Sequence, residues 1–366
     1  MKNILSHLRN MDWLIVGCVF SLVFIGLLSI YSSSFFRDDF VNFKKQLFFF
    51  VFGFALMLII SFSDWRLLRD QPYIFLFLYL ICNLFLLFLL LFGVETKGIK
   101  GWYRFGLFSF DPVEVMKIIL IVLLAKYFSS RHIEMYNIKH ILISGLYVFL
   151  PFTMIFLQPD MGSALILFFL WLGILIVSNI GIKHFLLMVL IFSLVSVFAW
   201  SQLLMPYQRQ RVLSFLSPQL EILGSGWSQF QSKVAIGSGG LTGKGFMNGT
   251  QVQLGFLSLC QTDFIFSAIA EEFGFVGITV LFFLISFLLF RILKIGFSIK
   301  ANFPRLVALG ISVLFISQTF IHIGMNLGVL PVIGISLPFV SYGGSGLVCN
   351  FIALGILQSL KIHKEQ

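Results

Sequence analysis

The stretch Leu306–Leu360, LVALGISVLFISQTFIHIGMNLGVLPVIGISLPFVSYGGSGLVCNFIALGILQSL, runs for 55 residues without an Asp, Glu, Lys or Arg. A helix crosses the hydrocarbon core of a bilayer with about 20 apolar residues. The run is therefore too long for one span, and its Gly-, Pro- and Ser-rich segment between Gly324 and Gly346 divides it into two. Working back toward the N-terminus, uncharged apolar runs cover Trp13–Phe36, Gln46–Ser63, Gln71–Val94, Ile141–Pro159, Met161–Ile182 and His184–Gln208. Two further spans carry ionisable residues: Pro112–Phe128, with Glu114 and Lys117, and Asp263–Phe290, with Glu271 and Glu272. The reading is an all-α, polytopic membrane protein of about ten transmembrane helices. It forms a single integral membrane domain over residues 1–366, with one long extracytoplasmic loop over 204–262. Lys2 and Arg9 precede the first run as they would in a signal peptide. That run exceeds an apolar signal core of about 7–15 residues and lacks a small-x-small cleavage site, so it is read as a retained helix.

Composition agrees. The chain is 59% apolar and 11% charged, with 47 Phe, whereas a soluble domain is about 25% charged. A soluble enzyme, a disordered chain and a nucleic-acid-binding domain all fit poorly. The net charge of +10 is assigned to basic loops at anionic headgroups rather than to nucleic acid. With the N-terminus inside, fourteen of the 25 Lys and Arg fall in cytoplasmic segments and ten outside, four of those ten in the long loop that counts less. Both termini are accordingly expected in the cytoplasm and the 204–262 loop outside.

Charges within or beside spans are functional candidates, because burying them in a membrane is costly. Glu114 and Lys117 share a helix face, as an internal ion pair or as substrate contacts. Asp160 suits a helix N-cap. Arg209 and Arg211, just beyond the seventh span, suit a phosphate or pyrophosphate and equally an interfacial anchor. Gly237-Ser-Gly-Gly-Leu-Thr-Gly-Lys-Gly245 fails the Walker A and dinucleotide patterns, so no nucleotide cofactor is expected. That loop either lays backbone N–H groups and Lys244 against an anion or merely connects surface helices.

Asp263 stands where the long loop meets the eighth span, ahead of Phe264, Ile265 and Phe266. Beside apolar groups at a membrane boundary, a carboxylate can serve as a general base; the competing role is an N-cap. Glu271 and Glu272 lie about 12–14 Å further along the helix, and a break near Gly274 or Gly277 is expected. With no supply of nucleotide sugars outside the membrane, a group-transfer enzyme facing that side needs a lipid-linked activated substrate. A transporter is the competing class.

These residues resemble the SEDS family (shape, elongation, division and sporulation) over nearly the whole chain. The resemblance is carried by Lys97-Gly98, Trp102, Gly106, Pro112, Glu114, Lys117 and Gln158-Pro-Asp-Met-Gly162. It continues through Tyr207-Gln-Arg-Gln-Arg-Val212, Ala235-Ile-Gly-Ser-Gly-Gly240, Gly243-Lys-Gly245, Gly249-Thr-Gln251, Thr262-Asp-Phe-Ile-Phe266, Glu271-Glu272, Leu337-Pro338 and Ser341-Tyr-Gly-Gly-Ser345. Gly249-Thr-Gln251 and Gln208-Arg-Gln-Arg211 are more similar to the RodA-type elongation branch than to the FtsW-type division branch. The resemblance implies an inverting peptidoglycan glycosyltransferase acting on lipid II and undecaprenyl-pyrophosphate-linked glycan, with Asp263 catalytic. It implies substrate contacts from Glu114, Lys117, Asp160, Arg209, Arg211, Lys244, Thr250, Gln251 and Ser341, and a reaction assisted by or tolerant of a divalent cation (Mg or Mn). It also implies a class B penicillin-binding protein as partner; a lipid II flippase is the alternative the family suggests. The departures lie near the site. Where family members read Leu-Pro-Glu-x-His-Thr-Asp, this chain reads Leu257-Ser-Leu-Cys-Gln-Thr-Asp263, and Gly101 stands before Trp102 in place of Arg.

Overall fold

The structure, a computed structural model, describes residues 7–35, 38–93, 101–105, 108–130, 138–202, 209, 213 and 226–363. Seven apolar helices lead: α1 Trp13–Phe35, α2 Val41–Phe62, α3 Pro72–Phe92, α4 Pro112–Ser129, α5 Ile138–Leu157, α6 Met161–Val177 and α7 Ile182–Gln202. Two short helices, α8 Trp227–Ser238 and α9 Thr250–Gln253, lie within the expected loop. Then come α10 Ile265–Ser298, α11 Asn302–Leu327 and α12 Gly344–Ile362. Among the described residues, α1, α2, α3, α5, α10, α11 and α12 are long and apolar enough to cross a membrane. Helices α4, α6 and α7 occupy the other three expected positions. An antiparallel hairpin, β1 Tyr103–Phe105 with β2 Phe108–Phe110, precedes α4; no alternation in the sequence announced it.

Local chemistry starts the polar-ended helices. Asp111 caps α4 by accepting from Val113 N–H (2.9 Å), with Pro112 at the first helical position. Asp160 caps α6 by accepting from Ser163 N–H (3.0 Å). The centre of the bundle is α11, with 72% of its apolar window buried against 22% for α2. Packing through α11, α6, α4 and α10 leaves Phe24, Phe77 and Phe88 on the outside, which accounts for part of the Phe excess as lipid-facing surface. The first helix is integral: Ile15, Leu22 and Ile30 are wholly buried. At Gly26 a Cβ would come 2.2 Å from the carbonyl oxygen of Val340, so α1 touches the segment before α12 through backbone.

The expected break in α10 falls at Gly274, with φ 63 and ψ −159. The glycine-rich loop fills it. Lys244 N–H donates to the Glu271 carbonyl (2.9 Å) and Gly245 N–H to that of Glu272 (3.0 Å), while Phe275 and Val276 N–H donate to the carbonyls of Gly240 (2.9 Å) and Leu241 (3.1 Å). The loop is thus neither an anion cradle nor a passive connection. Its N–H groups satisfy backbone that the break would orphan, which a membrane-level helix requires.

Candidate active site

Asp263 lies one residue before the N-cap of α10. The helix begins at Ile265 and Phe264 is its cap, with no side-chain cap bond, so the N-cap role does not fall to Asp263. Three consecutive carbonyls hold its segment to α11 and to the segment before α12. Gln261 O accepts from Tyr342 N–H (2.8 Å), Thr262 O from the Ser341 hydroxyl (2.8 Å), and Asp263 O from Asn326 Nδ2 (2.8 Å). Asn326 is in turn fixed by Ser267, whose hydroxyl donates to Oδ1 at 2.6 Å, and Ser232 bonds both Ser267 and the Asn326 carbonyl. Beneath the segment, Ala235, Val252, Leu257, Cys260, Phe264 and Ala268 form a small core of their own. Cys260 contributes to it as a small apolar group.

The carboxylate is half-buried and faces the irregular segment between α11 and α12. A Cβ on Gly334 would stand 3.9 Å from its Oδ2. The same segment reaches the other candidates. Ile333 O lies 2.4 Å from the Cβ position of Gly162, two residues past Asp160, and a Cβ on Gly346, in the first turn of α12, would stand 3.6 Å from the carboxyl carbon of Glu114. Residues 331–346 therefore string Asp263, the cap of α6 and the charged end of α4 along one strip. Ser341 serves the strip itself, accepting from Leu337 N–H (2.9 Å) while donating to Thr262.

At the far end, Lys117 Nζ meets Glu114 Oε1 at 2.6 Å, both largely buried. Asp111, which the sequence reading did not single out, joins them. Burial, then the charges of Glu114 and Asp160, push its carboxyl up to about 8. Burial likewise raises Asp160, against the bonds from Ser163 and the charge of Lys117. Three acids thus share one lysine.

Lys244, Thr250 and Gln251 gather on Glu271 instead of on Asp263. The fully buried Glu271 carboxylate accepts from Lys244 Nζ (2.7 Å), Thr250 Oγ1 (3.2 Å), Gln251 N–H (2.9 Å) and Val252 N–H (3.2 Å). Lys244 also donates to Thr250 (2.7 Å) and keeps 27% of its side chain exposed. Glu272 accepts from the Ser32 hydroxyl and from Gln253 Nε2 (3.3 Å). Arg209 is described and half-buried. Arg211 lies outside the described residues, as do residues 203–208 and 214–225 of the expected loop. Nothing in the sequence singles out Asn326 and Ser267, because neutral polar residues on apolar helices carry no spacing signal. Among the described residues, no three His, Cys, Asp or Glu side chains are grouped to ligate a metal.

Known proteins fit this arrangement. The model of the FtsW/RodA/SpoVE cell cycle proteins matches residues 12–366. The chain is 37% identical over 289 residues to peptidoglycan glycosyltransferase MrdB of Escherichia coli K12, covering 79% of this chain and 78% of that protein. It is 36% identical over 363 residues to stage V sporulation protein E of Bacillus subtilis 168, covering 97% and 98%. Among solved structures it superposes with a TM-score of 0.83 (29% identity, 97% and 99% coverage) on a chain of a peptidoglycan synthase complex described as coordinating polymerization and crosslinking. On the Thermus thermophilus rod shape determining protein RodA the TM-score is 0.72 (27% identity, 97% and 98% coverage). With residues 12–366 matched by the family model and relatives more than 30% identical over most of their length, the chain belongs to the FtsW/RodA/SpoVE family.

Proposed function

We propose that this chain is a peptidoglycan glycosyltransferase that polymerises lipid II at the outer face of the cytoplasmic membrane, with Asp263 as general base, and that it acts in cell elongation. The orientation rests on the Lys and Arg bias, which puts both termini in the cytoplasm; the elongation role rests on Gly249-Thr-Gln251 and Gln208-Arg-Gln-Arg211. Asp263 takes the proton of the 4-hydroxyl of the acceptor's N-acetylglucosamine. The resulting oxygen bonds to the anomeric carbon of the growing strand as that carbon's bond to pyrophosphate breaks, and undecaprenyl pyrophosphate leaves. Arg209, Arg211, Lys117 and Lys244 are the cations assigned to the pyrophosphates. Glu114, Asp160, Thr250, Gln251 and Ser341 are assigned to the remaining contacts. A divalent cation, when bound, would offset the pyrophosphate charge and would be held by one or two carboxylates with phosphate oxygens and water, since among the described residues no three His, Cys, Asp or Glu side chains are grouped to ligate it. The partner is a class B penicillin-binding protein, a reading supported by the relative solved within a synthase complex.

The observation that carries the proposal is the setting of Asp263, ahead of its helix cap, with its main chain tied to α11 and to the segment before α12 and its carboxylate facing that irregular segment. The test is polymerisation of fluorescent lipid II by the purified protein, alone and with the partner. Wild type is expected to form glycan strands and Asp263→Asn to form none. Polymer from Asp263→Asn at the wild-type rate would remove the base assignment. Labelled lipid II crossing liposome bilayers without any polymer would establish transport instead.

A further inference from the structure

Gln261 stands two residues before Asp263 and is buried. Its amide is fully engaged between the outer ends of two helices. Nε2 donates to the hydroxyls of Ser33 (3.0 Å) and Ser34 (3.2 Å) at the end of α1, and Oε1 accepts from Asn42 Nδ2 (2.7 Å) at the start of α2. Its carbonyl accepts from Tyr342 N–H (2.8 Å). The neighbouring Ser32 donates to Glu272 and accepts from Gln253 Nε2 (2.8 Å), so the polar end of α1 is anchored on both sides of the α10 start. On α2, Gln46 holds the opposite flank: Nε2 donates to Ser341 O (3.1 Å) and Oε1 accepts from Gly343 N–H (3.2 Å). Gln261 thus ties the 261–263 segment to α1 and α2 through its side chain, whereas the carbonyl bonds tie it to α11 and to the segment before α12.

We infer that Gln261 is a positioning residue for Asp263, transmitting the placement of the α1 and α2 ends to the carboxylate through its amide. The inference rests on the general-base reading of Asp263. The physical warrant is that both ends of a carboxamide are needed: a donor pair for Ser33 and Ser34, which also pack at the helix end, and an acceptor for Asn42. Truncating it leaves three polar groups to rearrange beside the carboxylate, and a displacement of about 1 Å at a reacting group can cost up to about 100-fold in rate. The side chain of Gln261 is buried and spent on α1 and α2, so its effect is expected in turnover more than in substrate affinity.

The experiment is a double-mutant cycle on full-length protein in detergent, reading lipid II polymerisation as kcat and KM separately alongside the thermal unfolding midpoint. Gln261→Ala and Asn42→Ala are each expected to lower kcat by about 10-fold or more with KM little changed. The double variant is expected to fall no further than the worse single variant, because both remove one path. Gln261→Glu keeps the acceptor for Asn42, and the serine hydroxyls can rotate to donate, so it is expected to recover part of the lost turnover. Additive losses in the double variant, or losses that follow the unfolding midpoint and appear equally in KM, would overturn the inference in favour of a purely structural role. Wild-type kcat in Gln261→Ala while Asp263→Asn is inactive would also overturn it and leave the general base standing. An active Asp263→Asn would instead strike the general-base reading.

Discussion

Replacing Glu271 by Ala tests whether α9 and the glycine-rich loop are rooted by one carboxylate. Glu271 has no exposed surface and takes four hydrogen bonds, from Lys244 Nζ, Thr250 Oγ1 and the N–H groups of Gln251 and Val252. Removing one member of a buried ion pair costs about 3–5 kcal/mol. The two N–H groups left behind would cost about 1–3 kcal/mol each if they stayed dry, a loss that overlaps with the first instead of adding to it. Lys244 is 27% exposed and can turn its ammonium to water, which places the expected cost near the lower figure, about 3 kcal/mol. At about 2 °C per kcal/mol for a large chain, the unfolding midpoint should drop by roughly 6 °C. Glu271→Gln preserves the shape and one acceptor oxygen and should lose about half as much. The assay is thermal unfolding in detergent, followed by tryptophan fluorescence. Glu271→Ala unfolding at the wild-type temperature would refute the claim that this carboxylate anchors α9 and the glycine-rich loop to α10.

Two predictions concern pH. Asp111 keeps its proton up to about 8, whereas the unfolded chain releases it near 3.8, so folding binds a proton between those values and stability falls as pH rises through them. Asp111→Asn retains an N-cap and removes that fall, so the variant should unfold at a higher temperature than wild type at pH 7 to 8 and lose the advantage near pH 4; equal midpoints throughout would contradict the crowding of Asp111 by Glu114 and Asp160. Asp12, just before α1, meets Arg291 at 2.5 Å and Lys361 at 3.2 Å. Burial pushes its carboxyl up, but the hydrogen bond from Arg291 and the charge of Lys361 outweigh burial and hold it below 3.8. Its stabilisation is therefore complete above the ordinary carboxylate value and is lost as pH falls through the lowered one. Asp12→Asn should lower the unfolding midpoint at neutral pH and flatten its decline in acid, and a variant with wild-type acid sensitivity would assign that decline elsewhere.

Much of the architecture was legible in the residues because a bilayer imposes one simple rule: backbone polar groups must be satisfied within each span, so apolar length translates directly into helices. The ten positions, the division of Leu306–Leu360 and the break near Gly274 all follow from that rule. The end of α11 at Leu327 and the start of α12 at Gly344 fall within the Gly- and Pro-rich divider. The hairpin at 103–110 was not legible, since its strands are three residues each and lie between spans. The cap at Asp160 was local enough for residue type to suggest it. The glycine-rich loop was misjudged because its partners, the carbonyls of Glu271 and Glu272, are not its neighbours in the chain.

Composition and hydropathy thus settled the class of molecule and the placement of its helices, because both depend on residues close in sequence and on the solvent they meet. The setting of Asp263 depends on tertiary contacts. Its segment is held by Asn326, Ser341 and Tyr342 from one end of the chain and, through Gln261, by Ser33, Ser34 and Asn42 from the other. Neutral hydrogen-bonding groups separated by 63 to 228 positions have no periodicity to reveal them. Helix packing brings them together, and that packing decided that Asp263 stands outside its own helix cap, facing the strip that leads to Glu114 and Lys117.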